Sequence, residues 1–147
     1  MARSFRYSMD RRIVNRILSW LLEHDLGPQN YALLTVPGRK TGNPHTVPVA
    51  LVVESERKWL VAPYGIADWV KNAEVVGEVT LSRGITRERF RLRKLSHEAA
   101  APILKSYLKR YPITRPYFDA TAESPLEAFE KEAEMRPVFE LFPSTGT

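Results

Sequence analysis

Cysteine is absent from this chain. That absence excludes disulfides, thiolate metal sites and a cysteine nucleophile, and it leaves the redox compartment open. Histidine is scarce. His24, His45 and His97 are scattered without ligand spacing, so no metal site is expected. No apolar run approaches the roughly 20 residues of a membrane-spanning helix. The first residues lack an apolar segment followed by a small-residue cleavage site, so no signal peptide is expected. Hydrolytic signatures are missing too: there is no Gly-x-Ser-x-Gly, no His-Glu-x-x-His and no Walker loop. No internal repeat or low-complexity segment occurs.

What is present is ordinary for a globular protein. The residues are 44% hydrophobic and 27% charged, and 147 of them suffice for one domain with a real core. Lys and Arg number 22 against 17 Asp and Glu, a net charge of +5. A basic protein favours anionic partners: nucleic acid, an anionic membrane surface or a polyanionic cofactor. Charge alone does not choose among them.

In chain order, residues 1–9 form a loose basic lead-in. Residues 10–26 form an amphipathic helix with Asp10 as its N-cap and Gly27-Pro28 as its stop. Its apolar residues Ile13, Ile17, Leu18, Leu21 and Leu22 recur at helical spacing, and Arg11, Arg12 and Arg16 occupy the polar face. Two readings stand. The helix packs on the rest of the protein, or it touches anionic lipid or covers an active site with Trp20 at the interface. Strands are expected over 31–36, 47–53 and 58–62, the last two joined by the polar turn Glu54-Ser55-Glu56-Arg57. A short helix follows over 66–73, with Trp69 and Val70 inward. A second hairpin spans 75–81 and 86–95 around Ser82-Arg83-Gly84. Ser96 caps a helix over 98–109. After an aromatic, proline-punctuated link over 111–118, Ser124 caps a last helix to about 133 with Pro125 in its first turn. A closing strand covers 137–142. Hairpins in the middle and helices at the ends predict an α+β fold, a small and mainly antiparallel β-barrel with an N-terminal helix and C-terminal helices.

Arg87, Arg89, Arg91 and Arg93 alternate along one strand and so share a face. That stripe is a solvated outer face or an anion track. Phe90 and Leu92 fall on the opposite, core face, which argues against a base-stacking platform, and no nucleic-acid partner is expected.

One stretch stands out. Leu33 to Val49 reads as a strand, a tight basic turn and a second strand. Gly38 and Gly42 allow positive φ and close approach of a ligand to the main chain. Arg39, Lys40 and Thr41 lie between them and supply donors for an anion. The turn is either a hairpin turn that happens to be basic or a phosphate cradle.

Gly38-Arg39-Lys40-Thr41-Gly42, with Pro44 opening the next strand, resembles the signature of the deazaflavin (F420)-dependent nitroreductase family. These split β-barrel, FMN-binding-like proteins include the F420H2-dependent quinone reductases. The likeness continues through Leu60 to Gly65, through Asp68-Trp69-Val70-Lys71-Asn72, and through Arg136 to Leu141. It spans about residues 30 to 142. The resemblance implies a cytoplasmic oxidoreductase that moves a hydride from reduced F420 to a small-molecule acceptor: quinone-like, nitro or activated alkene. FMN is the less suited cofactor, since the basic turn matches a long anionic tail.

Carried over by resemblance, Arg39, Lys40 and Thr41 hold the cofactor's phosphate and tail. His45 stands where the family often has a basic residue, and its imidazole is only partly charged at neutral pH. Val47 and Pro48 lie along the ring edge, and Ala62, Pro63, Tyr64 and Gly65 border the cofactor. Trp69 and Asn72 are either a core anchor and a satisfied helix-end amide or part of the pocket wall. Tyr64 and Tyr117 are candidate proton donors, with solvent as competitor. The chain departs from nitroimidazole-activating members by an inserted acidic helix between Tyr117 and Arg136, so substrate preference does not transfer. The runner-up reading is a non-catalytic binder of a lipid or fatty acid in the same barrel. Peripheral contact with an anionic inner membrane face, and a monomer or a dimer, are both compatible with the sequence.

Overall fold

Side chains alternate along each strand, and here the apolar ones of six strands turn to a single interior. In the computed structural model, which describes residues 9–144 and the first three of these by backbone alone, the strands close into a barrel. They are β1 (Tyr31–Pro37), β2 (Pro44–Glu54), β3 (Arg57–Val61), β4 (Glu78–Arg83), β5 (Thr86–Lys94) and β6 (Val138–Pro143). The order around the barrel is β1-β2-β3-β6-β5-β4, and every pairing is antiparallel. Leu34, Val36, Leu60, Val79, Phe90 and Phe139 fill the interior, each at most 2% exposed. This matches the α+β barrel expected from the hairpins. Of the loose lead-in expected over residues 1–9, residues 1–8 lie outside the described residues and Met9 begins the N-terminal helix.

Helices cover the barrel selectively. α1 (Met9–Glu23) lies against β1, β2 and β4. α2 (Asp68–Val76) plugs one end, with Val70 and Ala73 joining the interior. α3 (His97–Arg110) and α4 (Leu126–Met135) pack on each other and on the outer face of β2 and β3. There Ala50, Val52, Trp59 and Val61 meet Leu104, Tyr107, Leu108 and Phe129 in a second core. A short 3-10 helix, Pro112–Tyr117, forms the expected proline-punctuated link.

Several boundaries differ from the sequence expectation, each for a local reason. Asp10 is inside α1 rather than at its cap. The helix ends at Glu23, before Gly27, because Asp25 takes the left-handed conformation (φ 56). The Leu26 and Asp25 amides then bond to the carbonyls of Leu21 and Leu22, a Schellman closure with Asp in the usual Gly position. Val75 and Val76 belong to α2 rather than to β4. Gly77 (φ 77) ends that helix, and its N–H returns to the Ala73 carbonyl. The β4–β5 turn is accordingly Gly84-Ile85, since Arg83 pairs with Thr86. Ser96 does cap α3, accepting from the Ala99 amide at 3.2 Å. Ser124 does not cap α4: its hydroxyl accepts from the Thr121 amide at 2.8 Å, and Pro125 takes the cap position.

A buried carboxylate ties three strands together on the outer face. Glu140 of β6 is 4% exposed. It accepts from Arg57 of β3 at 2.8 and 3.0 Å and from Arg93 of β5 at 3.5 Å. The Arg57 guanidinium also lies over the Trp59 ring. The Arg57 hydrogen bonds hold the Glu140 carboxyl below its ordinary value of 4.5 against the opposing effect of burial, and the charges of Arg57 and Arg93 reinforce them. A depressed folded pKa contributes stability above the unfolded value, and that stability is lost as pH falls through the folded one. Glu140→Gln is therefore expected to lower the melting temperature by a few degrees at pH 7. The gap to wild type should narrow steadily below pH ~4.5, the ordinary glutamate range, in thermal melts across an acid series. A gap of constant size would contradict the assignment.

Candidate functional site

β2 and β3 pair only from Leu51↔Leu60 to Glu54↔Arg57. The first half of β2, from Pro44 to Ala50, pairs with β1 alone. Pro44 and Pro48 lack N–H donors, so this half-strand is suited to an open edge rather than to a second ladder. The chain after β3 turns away through Ala62 to Ala67 into α2. Two cavities open in the resulting split. One, about 550 Å³, is walled by the basic turn, His45, Val47 and α2. The other, about 450 Å³, lies between β2, residues 61–67, α1 and the start of the 3-10 helix. Val47, Ala67 and Trp69 line both. A basic groove thus runs into an apolar chamber.

The turn between β1 and β2 is closed by the Gly38 amide bonding to the Asn43 carbonyl at 2.8 Å, and by Gly42 (φ 79) bonding back to Gly38 at 2.9 Å. A side chain at Gly38 would press on the His45 ring, whose Nε2 lies 3.0 Å from the position of a Cβ there. The Thr41 hydroxyl oxygen accepts from the Asn43 amide at 3.2 Å. Among the described residues, the amides of Lys40 and Thr41 have no hydrogen-bond partner and the Lys40 ammonium has no ion pair. Two free amides, a hydroxyl and an ammonium on one loop suit an anion such as a phosphate.

Arg39 is used differently. Asn72 of α2 is 5% exposed, and its Oδ1 accepts from both the Arg39 amide (3.0 Å) and the Arg39 Nη1 (2.7 Å). Asp68 sits 3.9 Å from the same guanidinium. The buried amide of α2 therefore clamps the basic turn in place.

The chamber is floored by Val47 to Ala50 of β2 and Val61 of β3, and roofed by Val14, Asn15 and Leu18 of α1. The N-terminal helix covers this cavity, one of the two roles its sequence allowed. Pro63, Tyr64 and Gly65 form one lip. Arg136 holds that lip, donating to the Pro63 carbonyl at 3.2 Å and to the Tyr117 carbonyl, with its guanidinium over Phe118. Buried Glu132 of α4 anchors Arg136 at 2.8 Å and accepts from the Ala120 amide at 2.7 Å. One glutamate of the acidic helix α4 is thus a strut behind the site.

The structure brings the cofactor-binding candidates together. Arg39, Lys40, Thr41, His45 and Asn72 line the groove; Pro48, Ala62, Pro63, Tyr64 and Gly65 line the chamber; Val47 and Trp69 line both. Trp69 is half-buried against Phe139 (ring centroids 6.4 Å apart), so it is a wall residue as well as a core contact. Tyr117 is not brought to the chamber. It stands behind Tyr64, edge-on at 4.9 Å. Sequence reasoning missed Tyr31, Tyr107 and Thr114, which line the chamber's inner end. Tyr107 follows Leu104 and precedes Leu108 at core spacing, so the pattern marked it only as a buried residue.

The family model for F420H(2)-dependent quinone reductase matches residues 15–122. No curated protein matches the chain by sequence. Among solved structures, one described as a domain-swapped dimer is 23% identical; the alignment covers 90% of this chain and 96% of that one, with a TM-score of 0.60. An F420-H2 dependent reductase is 21% identical over 78% of this chain and 95% of its own, with a TM-score of 0.55. An F420 reductase is 12% identical over 86% and 93%, with a TM-score of 0.50. At these identities the likeness establishes the shared split-barrel fold.

The clamp separates two neighbouring cations by role. Asn72→Ala strands the part-buried Arg39 amide, at a cost of about 1–3 kcal/mol, and Arg39→Ala loosens α2 from the turn. Both should lower the melting temperature. Lys40→Ala should leave it unchanged, because an exposed cation contributes little to folding. Equal melting temperatures for all three variants would show that the clamp carries no load.

Proposed function

We infer the function from membership: the chain belongs to the F420H(2)-dependent quinone reductase family, and we propose that it reduces a quinone-like acceptor in the apolar chamber. It is an F420-dependent oxidoreductase with a small-molecule acceptor; the acceptor class and the residue roles are the proposal. The observation that carries the reading is the junction of a cationic groove with a mainly apolar chamber, sharing Val47, Ala67 and Trp69.

The residues present fit a flat ring with an anionic tail. Lys40 and the free amides of Lys40 and Thr41 would take phosphate or carboxylate oxygens. His45 and Arg39 border the same groove, although Arg39 is partly committed to Asn72. Val47, Pro48 and residues 62–65 would flank the ring. When bound, the reduced deazaflavin supplies the hydride; the protein supplies orientation, shielding and electrostatics. α1 excludes water from above, and Glu132 and Arg136 fix the lip. Tyr64 is the better placed of the two tyrosines to meet an acceptor, since it lines the chamber and Tyr117 does not. Nitro and activated-alkene acceptors fit the same apolar space and are tested beside quinones.

The test is a titration of F420 and of FMN following the fluorescence of the three tryptophans, then oxidation of F420H2 by a quinone. F420 should bind more tightly than FMN, and salt should weaken its binding. Lys40→Ala should weaken it about ten- to a hundredfold, the effect of losing one charge-assisted bond of about 1.5–3 kcal/mol. Equal binding of FMN, or an indifferent Lys40→Ala, would overturn the cofactor assignment.

A specific observation favours peripheral membrane contact as a second property. Ile13, Ile17 and Trp20 of α1 are 52%, 56% and 54% exposed, with Arg12 and Arg16 exposed beside them. No described helix is long and apolar enough to cross a membrane. An apolar stripe flanked by cations suits an anionic bilayer surface. The protein should co-sediment with anionic vesicles and not with neutral ones, and Ile17→Glu with Trp20→Glu should abolish this without lowering the melting temperature. A wild type indifferent to both vesicles would retire the idea.

A further inference from the structure

The chamber's inner end holds a polar group that the fold does not use. Tyr107 of α3 is 3% exposed and packs in the outer core between Leu104 and Leu108. Its ring touches that of Tyr111, with centroids 4.8 Å apart. Tyr111 spends its own hydroxyl on the Leu51 carbonyl at 2.6 Å, and the neighbouring Thr114 hydroxyl donates to the Tyr111 carbonyl at 2.7 Å. The Tyr107 hydroxyl has no hydrogen-bond partner among the described residues. No fully buried side-chain nitrogen or oxygen lacks a partner. The Tyr107 oxygen therefore keeps some open surface, and the chamber is the cavity that Tyr107 lines.

Leaving a hydroxyl unpaired beside apolar walls costs free energy, which a ligand oxygen would recover. We propose that the Tyr107 hydroxyl is the fixed hydrogen-bond donor that reads and polarises a carbonyl oxygen of the electron acceptor at the inner end of the chamber. This rests on the proposed reductase function and narrows it to acceptors carrying an oxygen at their deep end. Ala50 and Val61, which carry no side-chain polar group, share the outer core with Tyr107, and Tyr31 and Tyr64 line the same chamber. Burial first, then the neighbouring phenols Tyr64, Tyr31 and Tyr111, push the Tyr107 phenol well above its ordinary value. It stays an O–H donor through the working range and does not become a base.

The chemistry balances without consuming the tyrosine's proton. A quinone that accepts one hydride gains two electrons and one hydrogen, which leaves an oxyanion of the quinol. A proton from solvent completes the quinol. A donor aimed at that oxygen is worth more to the oxyanion than to the neutral carbonyl, so it favours the transfer itself.

The experiment uses Tyr107→Phe, which removes only the hydroxyl. Menadione is titrated into wild type and variant, free and with oxidised F420, by quenching of tryptophan fluorescence; Trp69 lines the chamber. Methylnaphthalene, the same ring system without oxygens, is titrated in parallel. The variant should bind menadione about tenfold more weakly, the loss of one hydrogen bond, and methylnaphthalene equally well. Its melting temperature should equal or exceed that of wild type, whereas a structural hydroxyl would cost stability on removal. Equal menadione affinity in the two proteins, the same loss for both ligands, or no menadione binding by wild type in either state overturns the assignment. Oxidation of F420H2 by menadione is then measured. If wild type binds menadione through Tyr107 and does not oxidise F420H2, the reductase reading fails and the hydrogen bond stands. If oxidation proceeds equally in both proteins with equal binding, the hydrogen bond fails and the reductase reading stands.

Discussion

The site depends on β2 exchanging one partner strand for the other partway along its length. From Leu51 to Glu54 it pairs with β3, and from Pro44 to Ala50 it pairs with β1 alone. A barrel closed along its full height would leave no space between β2 and the residues after β3. Because the strands part, the backbone from Val61 to Ala67 can swing out, and α2 can plug the barrel end at an angle that leaves a groove. The groove and the chamber lie at the outer seam where the ladder is incomplete. The two prolines of β2 make that edge stable as an edge, since they remove donors that a neighbouring strand would otherwise seek.

Around the seam, polarity is segregated. Free donors collect at the basic turn, and the chamber walls are aliphatic and aromatic. The segregation is held by a few buried polar links that reach far along the chain. Asn72 holds a turn 33 residues away through one oxygen. Arg136 reaches back 73 residues to the Pro63 carbonyl, and Glu132 keeps the guanidinium from facing apolar surroundings alone. Each carboxylate or amide is satisfied, so each is a positional constraint rather than an unpaid desolvation. Glu140 does the same for β3, β6 and β5 on the barrel's outer face.

These links also explain what could be seen in the sequence. The barrel was legible because strand alternation and polar turns are local signals, and the Arg stripe on β5 with Phe90 inward follows directly from period two. The groove was legible because two glycines, two cations and a threonine sit within five residues. The helix ends were less so. Asp25 replaces Gly in a Schellman turn, and Ser124 turns its hydroxyl to Thr121, and neither choice has a distinctive sequence mark. The split of Arg39 from Lys40 was illegible: two adjacent cations differ only because Asn72 folds beneath one of them. Glu132 has no sequence mark that sets it apart within its acidic helix; only the fold shows Arg136 and the Ala120 amide claiming both of its oxygens.

Tyr107 is the sharpest case of the last kind. Hydrophobic periodicity assigns it to the core, and the core is where its ring lies. What periodicity does not carry is the balance of donors and acceptors at the ring's far end. Tyr111, four residues on, faces the same region and finds the Leu51 carbonyl, because β2 still runs past it there. Tyr107 lines the chamber, and no described carbonyl accepts from its hydroxyl. The chamber therefore holds a hydroxyl without a hydrogen-bond partner among the described residues. A phenylalanine would satisfy the packing equally well. On the proposed reading, the oxygen's hydrogen bond is completed by an acceptor that enters the chamber.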